Sequence, residues 1–139
     1  MSLRFLVDTD WVIHWLNGHE KIRRRLDEVK EQGLALSVIS LAEVYEGVYY
    51  GRDRKAAEQG LRDFLTGADL LSIDQATAEI FGRERGRLRA ARKIIGDFDL
   101  MIAATALHHG LTLLTNNRRH FDRIETLRTE SAEPGHGIA

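Results

Sequence analysis

At 139 residues, 43% apolar and 29% charged, the chain has the size and balance of one globular domain with a sizeable core. Twenty basic against twenty-one acidic residues leave a net charge of −1, which excludes a global field that gathers polyanions, so any nucleic-acid or phosphate site has to be local. The absence of cysteine rules out disulfides and thiolate metal centres, and no apolar run approaches the roughly twenty residues of a membrane span.

The opening Met-Ser-Leu-Arg runs into an apolar stretch without a signal-peptide pattern, and a cytoplasmic location is expected. Leu3 to Val7 reads as a short buried strand. Asp10 is placed to cap a helix through about Asn17, with Gly18 as its stop. Residues 19–32 are polar with Ile22, Leu26 and Val29 at helical spacing, and Gly33 ends them. A second strand is expected over 34–39. The helix after it, Ser40 to Tyr50, carries Leu41, Val44, Tyr45 and Val48 as one apolar stripe. A helix over about 53–66, a third strand over 69–74 and a strongly charged helix over 75–92 follow. Residues 99–109 are apolar on nearly every face, the mark of a buried helix, and Gly110 closes it. Residues 111–115 give a fourth strand and 124–129 a fifth, at the edge. Residues 1–128 are expected to form the domain. Residues 129–139, which hold the only proline, are expected to be a disordered tail. Strands alternating with helices imply a three-layer α/β/α sandwich around a central, mainly parallel sheet of four to five strands.

In such a sheet, ligands bind beyond the carboxyl ends of the strands. Asp8 stands at the end of the first strand, Glu43 in the first turn after the second, and Asp97 and Asp99 at the start of the buried helix. Each acid also has a purely structural use: Ser40-Leu41-Ala42-Glu43 fits a capping box, and Asp97 or Asp99 fits an N-cap. Taken together they are harder to dismiss, because clustered carboxylates repel unless a cation neutralises them. Hard divalent ions such as Mg²⁺ take oxygen ligands.

The segments FLVDTDWVI (5–13), SLAEVYEGV (40–48) and DLMIAATALHHGLTLLTNN (99–117), with Phe121, resemble the PIN domain, and most closely the VapC-type ribonuclease toxins of toxin–antitoxin pairs. The likeness runs to about residue 128. It implies the PIN-like fold, a Mg²⁺- or Mn²⁺-dependent endoribonuclease acting on RNA phosphodiester bonds, a homodimer, and inhibition by a small VapB-type antitoxin. Matched position by position, the family's acids fall on Asp8, Glu43 and Asp99, as metal ligands and catalytic groups. Asp97 is an extra acid two residues earlier, placed either to support the site or to face solvent. Where the family often has a further acid after the fourth strand, this chain has Asn116 and Asn117, which with Thr115 are expected to hydrogen-bond a water or phosphate oxygen.

Two other readings compete. FLVDTDWV also fits the haloacid-dehalogenase phosphatase signature, with Asp8 as nucleophile and Asp10 as general acid, but no motif lysine or cap domain accompanies it. A PIN-like module that grips RNA or a partner without cutting is the third, and the intact Asp8, Glu43 and Asp99 argue against it. Residues 83–93, RERGRLRAARK, carry six basic residues against one acid. They are either a solvated helix face or an RNA phosphate clamp made by Arg87, Arg89, Arg92 and Lys93. Trp11, Trp15, Tyr45 and Tyr49 exceed what a small core needs and are expected to line a groove for an amphipathic antitoxin helix. The six histidines show no catalytic pairing.

Overall fold

The computed structural model describes residues 2–132. Its strands are β1 (Phe5–Val7), β2 (Leu34–Ser37), β3 (Asp69–Leu71), β4 (Thr112–Leu114) and β5 (Thr129–Glu130). All are parallel to their neighbours, in the order β3-β2-β1-β4-β5. The helices are α1 (Thr9–Leu16), α2 (Glu20–Val29), α3 (Val38–Tyr50), α4 (Arg54–Leu65), α5 (Gln75–Ala90), α6 (Asp97–His109) and the single turn α7 (Arg118–Phe121). The expected three-layer architecture is the one that forms. Among the described residues no helix is long and apolar enough to cross a membrane.

The two-residue period of a strand sorts its side chains between the layers. Phe5 and Val7 of β1 join Trp11, Val12, Ile22, Leu26, Val44, Val48, Leu61 and Phe64 in the core beneath α1 to α4. Leu6 joins the opposite core, with Leu88 of α5, Leu100, Ile102, Ala103 and Ala106 of α6, and Phe121. Helix α6 lies between the sheet and α5, which is why it is apolar all round.

Several element ends differ from expectation, each because a side chain captures a backbone group. Strand β2 stops at Ser37, whose hydroxyl accepts the Ile39 N–H at 3.0 Å and starts α3 at Val38. Strand β3 stops at Leu71, and Asp74 then caps α5 by accepting the Thr77 N–H at 2.9 Å. The cap of α1 is Asp8 rather than Asp10. Neither Asp97 nor Asp99 caps α6; Gly96 does, and both acids occupy the first turn, where the helix dipole favours them. The fifth strand, expected over 124–129, starts only at Thr129, because α7 and the buried Phe121 and Ile124 use the preceding residues as packing. Glu130 of β5 accepts two bonds from Arg25, at 2.6 and 3.0 Å, so ordered pairing continues past residue 128, into the expected tail. The remainder of that tail, residues 133–139, lies outside the described residues.

Gly33 lets the chain enter β2 with φ +99, and a Cβ there would stand 2.5 Å from the Ser2 carbonyl oxygen. Strand β1 is where the sheet order reverses: β2 and β3 extend on one side of it, β4 and β5 on the other. A crevice therefore opens at the carboxyl ends of β1 and β4. The Asp8 N–H donates to the Leu114 carbonyl at 2.9 Å, which sets the ends of the two strands together.

Candidate active site

Asp8 leaves β1 into this crevice and is only 4% exposed. One carboxylate oxygen accepts the Thr9 N–H at 2.8 Å, and the other accepts the Thr115 hydroxyl at 2.7 Å. The Thr115 hydroxyl in turn accepts the Asn117 N–H at 2.9 Å. Thr9, at the first position of α1, donates its hydroxyl to Glu43 Oε1 at 2.6 Å and lies 2.9 Å from the Ser40 hydroxyl. The capping box expected at Ser40–Glu43 does not form, since α3 starts at Val38 and Glu43 reaches across to α1 instead. Asp99 projects from the first turn of α6, and its Oδ2 lies 3.2 Å from His120 Nδ1. That same nitrogen lies 3.0 Å from the Asn117 amide nitrogen.

These groups meet around one cavity of about 410 Å³, lined by Asp8, Thr9, Asp10, Ile13, Glu43, Asp99, Asn116 and Asn117. Three acids far apart in the chain are thus brought to one opening, and Asp10 joins them as a fourth. Asp10 accepts the Asn116 N–H on one oxygen at 3.0 Å, while its other oxygen is buried and, among the described residues, accepts no bond of good geometry. Asp97 is not part of this set. It is exposed and pairs with Arg85 at 2.5 Å. Asn116 is largely committed to structure, its side-chain oxygen accepting Trp11 Nε1 at 2.9 Å, Ser131 Oγ at 3.0 Å and the Ala132 N–H at 3.1 Å.

No lysine or arginine lines the cavity, and the carboxylates bear the consequence. Burial pushes the Asp8 carboxyl up to about 7, helped by the adjacent Asp10 charge and, more weakly, by Asp99; the bonds from Thr115 and Thr9 oppose this. Burial raises Asp10 as well. Among the described residues no three His, Asp or Glu side chains close into a ready-made metal cage. The acids ring an open cavity instead. Their chemistry nonetheless fits a hard dication that keeps part of its water shell: the acids offer only oxygens, and one buried oxygen of Asp10 accepts no bond of good geometry among the described residues. The phosphatase alternative fits poorly, because no lysine stands beside Asp8 and Asp10 in the cavity lining to hold a phosphoryl group.

Trp11 is fully buried in the α1–α4 core, so the aromatic groove expected from Trp11, Trp15, Tyr45 and Tyr49 does not exist in that form. Trp15 is half-buried, edge-on to Phe64 and covered by the Arg23 guanidinium. Tyr45 and Tyr49 do stand on the surface, stacked on each other with Arg54 over Tyr49. The expected basic clamp also divides. Arg87 pairs with the buried Glu84, whereas Arg89, Arg92 and Lys93 line a separate cavity with Arg85.

Two residues of the site were not singled out from the sequence. Thr9 was hidden between two more conspicuous aspartates. His120 gains its partner Asp99 only through the α7 turn; the available signal was its position just after the fourth strand, in TNNRRHF (115–121).

A family model described as the PIN domain matches residues 5–127. The "tRNA(fMet)-specific endonuclease VapC" of Shigella flexneri is 30% identical over 128 residues, covering 92% of this chain and 97% of that protein. The "Ribonuclease VapC2" of Haemophilus influenzae is 32% identical over 130 residues, covering 93% and 98%. The structure of DNA-bound VapBC from Salmonella typhimurium superposes with a TM-score of 0.87 at 30% identity, over 94% of this chain and 99% of that one.

Proposed function

The chain belongs to the PIN-domain family, and from that premise we propose that its acidic crevice hydrolyses RNA phosphodiester bonds, as an endoribonuclease using Mg²⁺ or Mn²⁺ held by Asp8, Glu43 and Asp99. The observation that carries this reading is the cluster of carboxylates lining one cavity with no arginine or lysine among them. Its VapC relatives are named as RNA-cleaving enzymes and match over nearly their whole length.

Each side chain then has a task. Thr115 and the Thr9 N–H fix the Asp8 carboxylate, and the Thr9 hydroxyl fixes Glu43, so two acids are oriented from one turn of α1. His120 supports Asp99. Asp10 adds negative charge beside them and thereby strengthens the attraction for a dication. A divalent ion bound here supplies Lewis-acid stabilisation of charge on the phosphate and lowers the pKa of water. Asn117, on the cavity wall, offers an amide to a phosphate oxygen.

The same reading makes the protein a toxin neutralised by a VapB-type antitoxin. An apolar groove of about 520 Å³ between α1, α3 and α4 is lined by Ile13, Leu16, Val44, Val48, Ala56 and Ala57, among others. Ile13 also lines the acidic cavity, so an amphipathic antitoxin helix seated in the groove ends beside the carboxylates. The test of the enzymatic reading is RNA cleavage by the purified chain. Activity should vanish in EDTA, return with Mg²⁺ or Mn²⁺, and be absent in Asp8→Asn. Cleavage that persists in chelator, or in that variant, overturns it.

A further inference from the structure

A second cavity, of about 420 Å³, flanks the first turn of α6 and is lined by Arg85, Arg89, Arg92, Lys93, Ile94 and Asp97. Asp97 belongs to this cavity and Asp99 to the acidic one. Two positions apart on a helix, they point to nearly opposite sides of the turn. Between them Phe98 stands 56% exposed. The Arg85 charge is already taken up, by Asp97 at 2.5 Å and the Ile95 carbonyl at 2.9 Å. Arg89, Arg92 and Lys93 have no carboxylate partner among the described residues. The cavity is therefore net positive and the neighbouring one net negative, on either side of one exposed aromatic ring.

An independent observation concerns Arg92. It has φ +59 and is the only non-glycine residue with positive φ among the described residues. It follows Ala91, the C-cap of α5. The bonds from the Lys93 N–H to the Leu88 carbonyl, at 2.9 Å, and from the Arg92 N–H to the Arg89 carbonyl, at 3.0 Å, form the closing pattern in which glycine is the usual residue. Gly110, at φ +66, occupies the left-handed C-cap of α6. An arginine here carries backbone strain that glycine avoids, and such strain persists where the side chain has a use.

We propose that the cavity of Arg89, Arg92 and Lys93 binds a backbone phosphate neighbouring the scissile one, with an unpaired base stacked on Phe98. Single-stranded RNA then crosses the amino-terminal turn of α6 from the cationic cavity to the carboxylates. The inference rests on the ribonuclease reading above. It favours single strands because only an unstacked base presents its face to an aromatic ring, and three cations with no carboxylate partner among the described residues match a phosphate rather than an apolar partner.

The test pairs binding with stability. A 5′-labelled single-stranded RNA is titrated by fluorescence anisotropy at several salt concentrations, in an Asp99→Asn background so that the strand survives, and the same proteins are melted. Arg92→Gly should raise the unfolding midpoint by ~2–4 °C. The same substitution should weaken RNA binding several-fold and flatten the log–log salt slope by about 0.7. Arg92→Lys should keep the slope. Phe98→Ala should weaken binding with the slope unchanged. Unchanged affinity and slope in Arg92→Gly would overturn the proposal, as would a lowered midpoint, which would assign Arg92 to the fold. A changed assembly size with RNA binding intact would assign the cavity to a protein contact, and also overturn it. If the unsubstituted chain cleaves RNA with Mg²⁺ while these outcomes fail, only the present inference falls; if it neither binds nor cleaves RNA, the ribonuclease reading falls first.

Discussion

Replacing Asp8 with asparagine should stabilise the protein at pH 8 in the absence of metal, even as it removes a proposed cation ligand. Burial and the Asp10 charge raise the Asp8 carboxyl from its ordinary 3.8 to about 7. Between those two pH values the folded state holds a proton that the unfolded chain releases, so wild-type stability falls as pH rises through the window and levels off above 7. A difference of that size corresponds to ~4 kcal/mol. Asparagine can still accept the Thr9 N–H on its oxygen and can donate its amide to the Thr115 hydroxyl, at a cost of about 1 kcal/mol for the rearranged bond. The net gain expected at pH 8 is ~2–3 kcal/mol, read as an increase of about 1–2 M in the urea midpoint. Below pH 4 the order should reverse, the variant lying about 1 kcal/mol below wild type, because only the cost of the rearranged bond remains. Mg²⁺ at pH 8 should narrow the gap by stabilising wild type selectively. An asparagine variant less stable than wild type at pH 8 in EDTA, or a gap that does not change with pH, would refute the electrostatic reasoning.

Glu43→Gln should leave the urea midpoint close to that of wild type and cut Mg²⁺-dependent RNA cleavage by about 100-fold or more, measured on a labelled oligonucleotide. Thr9→Val removes the hydroxyl that holds Glu43; about 1 kcal/mol of stability should be lost and the Mg²⁺ concentration for half-maximal cleavage should rise about 10-fold or more. Trp11→Ala should cost ~3–5 kcal/mol in denaturation, because the ring is fully buried and anchors Asn116. Tyr50→Ser, at a position 88% exposed, should change stability by no more than about 0.5 kcal/mol.

What the sequence made legible follows from local rules. Buried parallel strands read as continuous apolar runs, and α6 read as buried because it is apolar on every side. The convergence of Asp8, Glu43 and Asp99 at one rim followed from parallel topology, since Asp8 follows β1, Asp99 lies in the first turn of α6, and Glu43 lies in the second turn of α3, the helix that follows β2. What escaped depended on tertiary contact. Asp8 rather than Asp10 caps α1 because the Asn116 backbone claims Asp10. Glu43 looked like half of a capping box until Ser37 captured the helix start and left Glu43 free to meet Thr9. Trp11 looked like surplus surface aromatic, yet its indole N–H finds a half-buried acceptor in Asn116, about a hundred residues away, which is what lets the ring enter the core. The basic run around α5 could not be divided by composition. Only the helix phase sends Arg87 to Glu84 and turns Arg89 toward the cavity that Arg92 and Lys93 complete.

The central claim, a dication shared by the three acids, is tested most directly by anomalous diffraction from crystals soaked in Mn²⁺. The expected result is one strong peak about 2.1–2.3 Å from carboxylate oxygens of Asp8 and Asp99, with Glu43 bound directly or through one water. A Mn²⁺ peak elsewhere on the molecule, with the space among these acids empty at millimolar metal, would contradict it.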